Sequence, residues 1–242
     1  MTNKPILSRQ IRVPYSANWR YPGPLANILI KLRTMRLTLL FILFTSLTFG
    51  QKKPIVFYNE SGEKISKQKF IKTKDYGKNL DLYYENDTTQ IGLLITRQKF
   101  GSLDKNTFEY LKLYLTELTD KKIDSTQNIV INYLTAFPKK NENKNSRSGW
   151  NVLHRDYLKK LHKIENINQF WIHSSECDNL EYYHQKKIDW IEDEDNLLKK
   201  LFFPYEVRYG NYILIKPDGK FYYYLGEHSK YQIWENAEKF FK

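Results

Sequence analysis

Three residues in one stretch carry donors suited to a soft metal: His173, Cys177 and His184, with Glu176, Asp178 and Glu181 between them. Imidazole nitrogen and thiolate sulfur are good zinc or copper ligands. Their spacing matches no zinc-binding pattern, so the competing expectation is a solvated loop with one free thiol. A loop after the carboxyl end of a parallel strand is nevertheless where α/β folds place ligands, which keeps the metal reading as the alternative. The single cysteine excludes an intramolecular disulfide and any Cys-x-x-Cys pair. Glu176 and Asp178 beside it raise a thiol pKa, which argues against a single-cysteine peroxidase. His154 and His162 stand eight apart on one expected helix, too far along it to share a metal, and read as surface histidines. No Gly-x-Ser-x-Gly elbow and no Gly-rich phosphate loop is present, and Ser174 and Ser175 beside His173 match a nucleophilic site only at chance level. The acidic run Asp189 to Asp195 lacks calcium spacing and is expected to cap a helix.

Aromatic residues make up 16% of the 242, with 19 Tyr. In Tyr222-Tyr223-Tyr224 strand alternation sends the middle ring to the opposite face, so at least one is expected to meet water. Exposed Tyr suits a protein or glycan partner. Nucleic acid is not expected: the basic loop Lys139 to Arg147 has no interleaved aromatic. The formal charge of +12 is also misleading, because seven of the 39 Lys and Arg fall in residues 1–50, which hold no acid. That leaves 32 basic and 27 acidic residues beyond, a net of +5.

The acid-free leader explains the imbalance. Leu37 to Phe49 is an uncharged run behind Lys31, Arg33 and Arg36, the layout of a secretory signal peptide over 35–50 with cleavage before Gln51. Thirteen helical residues span only about 20 Å, short of the roughly 30 Å of a hydrocarbon core. The expectation is therefore an exported protein, periplasmic or secreted, with no stable membrane span after cleavage. Pro14, Pro22 and Pro24 disfavour the amphipathic helix of an organellar transit peptide.

The elements that must position these residues fall into two regions. Residues 51–125 read as a β-rich N-terminal region with one helix, the strands PIVFYN, LDLYYEN and QIGLLIT preceding a helix whose Phe108, Leu111, Leu115 and Leu118 form one stripe and whose cap is expected at Asn106. From 126 to 242 the order is β-α-β-α-β-β-α: NIVINYL, a helix through Val152, Leu153, Tyr157, Leu161 and Ile164, NQFWIHS, a short helix with Leu197, Leu198, Leu201 and Phe202, a hairpin of NYILIK and KFYYYL turning at Pro217-Asp218-Gly219, and a closing helix. The expected fold class is α/β, a mixed central sheet with helices on both faces.

Two stretches, Ile129–Phe137 (IVINYLTAF) and Gly210–Gly219 (GNYILIKPDG), together with this order, resemble the thioredoxin-like family over about half the chain. The resemblance implies a Cys-x-x-Cys loop after the first strand and a cis-proline before the hairpin. Carried over by position, the two cysteines fall at Pro138 and Asn141 and the cis-proline at Gly210, so all three are missing. Without a thiolate nucleophile there is no disulfide exchange. The resemblance thus implies a redox-dead member without a cofactor, a binding or scaffold module of the cell envelope or exterior.

Overall fold

The computed structural model describes residues 28, 31–39, 53–135, 148–177 and 180–242. Two compact units divide at Lys53. In the first, residues 31–39 are helical and exposed. The remainder of the expected signal peptide lies outside the described residues. Among those described, no helix is long and apolar enough to cross a membrane.

The second unit, Pro54–Lys242, is a mixed α/β body built on two mixed sheets. The smaller has the order β2-β1-β4-β3, from β1 (Ile55–Asn59), β2 (Lys64–Ile65), β3 (Asn79–Glu85) and β4 (Gln90–Thr96). β3 and β4 form a hairpin whose turn is held by Asn86 Oδ1, which accepts from the amides of Thr88 and Thr89 at 3.0 and 2.8 Å. A short helix, α1 (Lys67–Thr73), covers one face, with Phe70 packed on Phe57. Sequence periodicity gave no sign of it; seven residues make two turns, and its clearest local signal is Ser66, whose hydroxyl accepts from Lys69 N.

The larger sheet runs β5-β10-β9-β6-β7-β8, with β5 (Gln98–Ser102), β6 (Asn128–Leu134), β7 (Ile167–Ser174), β8 (Ile191–Asp193), β9 (Asn211–Ile215) and β10 (Lys220–Leu225). β6, β7 and β8 are parallel, and β9 runs antiparallel to both β6 and β10. Every β6 residue is buried, as its continuous apolar run requires of a strand covered on both faces. One face carries α3 (Asp156–Ile164) and α5 (Lys230–Phe241), through Tyr157, Leu161, Ile233, Trp234 and Ala237. The other carries α2 (Lys105–Thr119), α4 (Leu197–Phe202) and the inner face of the small sheet, through Leu111, Leu115, Phe202 and Ile95. This double cover overturns the expectation for the Tyr triplet: Tyr222, Tyr223 and Tyr224 are all buried.

Two further local expectations are corrected. The cap of α2 is Asp104, accepting from Thr107 N at 3.0 Å, two residues before Asn106. Val152 and Leu153 form a separate 3₁₀ turn before α3, so His154 lies outside that helix. Beyond β4 the chain joins the large sheet: β5 pairs with β10 across more than a hundred residues of chain, and α2 packs in the core of that sheet. The acidic run behaves as expected: fully buried Asp193 accepts from Leu198 N and Lys199 N at the start of α4, and from Tyr114 and Tyr133 hydroxyls at 2.7 and 2.8 Å.

Candidate functional site

The carboxyl end of β6 and the start of β9 are neighbours, Tyr133 pairing with Asn211. Buried polar groups lock this end. Thr135 Oγ1 donates to Val207 O and accepts from Val207 N, both at 2.9 Å. Asn211 donates to Tyr133 O and Thr135 Oγ1 and accepts from Gly226 N. The segment entering β9 is thereby tied to the ends of β6 and β10.

Its backbone turns sharply there. Tyr209 and Gly210 both have positive φ, 66° and 83°. Glycine meets no steric penalty in that region, whereas proline cannot reach it. Gly210 has neither proline nor the cis bond that the resemblance implied, and no cis peptide bond occurs among the described residues. What Gly210 does supply is room: a Cβ there would lie 2.6 Å from Trp150 Cη2. Pro138 and Asn141 lie outside the described residues.

Trp150, resting on Gly210, donates its indole N–H to His228 O at 2.8 Å and meets the His228 ring edge-on at 4.9 Å. Tyr212 and Tyr224 close around the same imidazole at 4.7 and 6.3 Å. His228 Nδ1 lies 2.9 Å from Gly226 O, which assigns the proton to Nδ1 and leaves Nε2 a lone-pair acceptor. That nitrogen is buried and has no hydrogen-bond partner among the described residues. Burial pushes the imidazole pKa down to about 3, with the Arg97 charge adding to the effect, so the ring is neutral at physiological pH.

A cavity of about 550 Å³ opens beside this ring, lined by Trp150, Tyr182, Tyr209, Glu227, His228 and Gln232 among others. Its serines are committed to structure: Ser148 Oγ accepts from Trp150 N, and Ser229 Oγ caps α5 by accepting from Gln232 N. Neither serine is bonded to His228, so among the described residues no nucleophile, base and acid stand in line there. Aromatic faces, amides and one carboxylate equip the cavity to hold a ligand by stacking and hydrogen bonding.

The residues expected to ligate metal are spread apart in role. His173 is buried on β7 with Nδ1 on Ser174 O at 2.9 Å. Cys177 is buried in a small cluster with Leu134, Leu180 and Tyr183. His184 Nε2 sits 2.9 Å from Ser148 O. Among the described residues no group of three or more His, Cys, Asp or Glu side chains converges to hold a metal ion.

The sequence did not single out Trp150, Tyr209, Glu227 or His228. One usable signal was Gly226-Glu227-His228, polar punctuation directly after a strand that ends in buried aromatics. The chain matches no protein-family model and no curated protein.

Proposed function

We propose that this chain is an exported, non-redox binding module on a thioredoxin-like scaffold, and that it takes a protein or glycan partner in the aromatic cavity beside Trp150 and His228. One observation carries the reading. The two stretches that bear the family resemblance meet at the junction of β6 and β9, and the cavity there is lined by aromatic and amide groups, while the chain's one thiol lies buried behind that lining against Leu134 and Tyr183 and does not border the cavity. The parallel pair β6 and β7 beside the antiparallel hairpin β9 and β10 supports the kinship; the positive φ of Gly210 is where this chain departs from it.

Insulin-disulfide reduction tests the redox half: the chain accelerates it no more than an unrelated protein does, and turnover near that of a dithiol reductase overturns the proposal. Titration of panels of neutral oligosaccharides and of unstructured peptides, read by tryptophan fluorescence, tests the binding half. A ligand from either panel binds the chain and loses affinity for Trp150→Ala; a Trp150→Ala protein that binds as well as the parent places the ligand elsewhere. Export is tested by N-terminal sequencing of the native protein, expected to begin at Gln51; a start upstream of residue 40 refutes cleavage.

A further inference from the structure

A second cavity, about 880 Å³, lies on the far side of Tyr209 and Glu227. Five consecutive residues of β3, Leu80 to Tyr84, line it. Side chains alternate along a strand, so five in a row can border one space only when that space runs along the strand's edge. Among the described residues β3 is an edge strand, paired with β4 alone.

The register shows which backbone groups face out. Arg97 N donates to Lys78 O at one end of the hairpin and Asn86 N to Thr89 O at the other, so even-numbered β3 residues spend their amides and carbonyls on β4. The amides and carbonyls of Asp81 and Tyr83 therefore point away from the sheet, about 7 Å apart along it. Among the described residues these four groups have no partner.

The rest of the lining favours cationic side chains. Tyr76, Tyr83, Tyr84 and Tyr209 are all exposed, and tyrosine faces attract ammonium and guanidinium groups. Glu206 and Glu227 are exposed and in no ion pair among the described residues, whereas Asp81 and Glu176 are neutralised by Lys74 and Lys199. Arg97 turns its guanidinium to the carbonyls of Tyr76, Leu225 and Glu227. The lining thus sets the exposed carboxylates of Glu206 and Glu227 and the tyrosine faces against two guanidinium groups, those of Arg208 and of the carbonyl-bound Arg97.

We infer that the groove beside β3 accepts an extended peptide segment rich in Lys or Arg, which adds as a strand through the amides and carbonyls of Asp81 and Tyr83 and seats its cations against the tyrosines, Glu206 and Glu227. Strand addition supplies affinity through the main chain, and the lined walls supply selectivity. This does not rest on the function proposed above, which concerns the other side of Tyr209.

The test uses a fluorescein-labelled eight-residue peptide of alternating Lys and Val, with alternating Glu and Val as comparator, on the full chain at low salt. The basic peptide is expected to bind at least about ten-fold more tightly than the acidic one, a preference that salt reduces. Hydrogen exchange resolved by residue then decides the mode. Bound peptide slows exchange of the Asp81 and Tyr83 amides about ten-fold or more and leaves Leu80 and Leu82, already bonded to β4, unchanged. Tyr83→Pro removes an outward donor and no ladder bond, and the double variant Glu206→Lys, Glu227→Lys reverses the wall; each weakens binding about ten-fold. Should Tyr83→Pro fail to fold, the exchange data on the parent decide. Peptide bound without protection at Asp81 and Tyr83, preference for the acidic peptide, or protection of those amides by self-association of the protein alone each overturns the inference.

Discussion

Lowering the pH should unfold this protein through one residue more than any other. His228 is fully enclosed by Trp150, Tyr212 and Tyr224, its Nδ1 proton goes to Gly226 O, and Arg97 adds positive charge nearby. Protonating Nε2 in the folded state places a second charge where no acceptor waits. In the unfolded chain the imidazole titrates near 6.5, and in the folded protein at about 3. Between those values the unfolded state binds the extra proton, so stability rises with pH across the window and is flat above it. Linkage between the two pKa values gives a loss of about 2 kcal/mol on going from pH 7.5 to pH 5.0.

The assay is urea unfolding at both pH values on the parent and on His228→Asn, whose side-chain amide keeps a donor for Gly226 O but has no titrating group. The four other histidines and all carboxylates are common to both proteins and cancel. At a slope of about 2 kcal/mol per molar urea, the parent's midpoint should fall about 1 M further than the variant's. Parallel loss in the two proteins, within about 0.5 kcal/mol, refutes the argument that burial holds the ring neutral. So does an NMR titration in which the His228 ring protonates near pH 6.

Other perturbations have equally specific outcomes. Asp193→Asn sets an amide NH₂ against two tyrosine hydroxyls and two backbone amides that now donate to a carboxylate, and should cost about 3–5 kcal/mol in chemical unfolding. Tyr114→Phe, which removes one of those donors, should cost about 1–2 kcal/mol, with calorimetry separating the two. Gly210→Ala forces a side chain into positive φ and into the Trp150 ring, costing about 1–3 kcal/mol and shifting tryptophan emission as the ring is displaced. Arg97→Lys cannot reproduce the guanidinium fork and should cost about 1–3 kcal/mol, with hydrogen exchange accelerating in β1 to β4 before the large sheet.

The C-terminal half was legible because its contacts are announced locally. NIVINYL has no polar alternation and becomes the central buried strand; Pro217-Asp218-Gly219 fixes a turn in which Gly219 has φ of 82° and its amide donates to Lys216 O. The N-terminal region hid two things. The seven residues of α1 are too few for a helical period to emerge. QKFGS, polar and glycine-containing, carries no sign that it will pair with KFYYYL at the far end of the chain, because strand pairing is a property of two segments and neither alone encodes its partner. The fate of the Tyr triplet follows from that same pairing, since β5 and the small sheet give Tyr223 a covered face that reading β10 alone cannot supply.

The candidate site was missed for a related reason. Its parts come from Trp150, Tyr209 and the turn at Gly226 to His228, three loops distant in sequence, and none has a motif. What brings them together is the set of polar side chains at one end of the large sheet: Thr135 and Asn211 hold the segment before β9, and Arg97 holds the carbonyls of Leu225 and Glu227. Apolar residues of similar volume would leave the buried backbone groups of Val207 and Gly226 without partners, at a cost of about 1–3 kcal/mol each. Hydrogen bonds add direction, which apolar packing lacks, and here they fix where Tyr209, Glu227 and His228 stand. Both cavities share Tyr209 and Glu227 as their common wall.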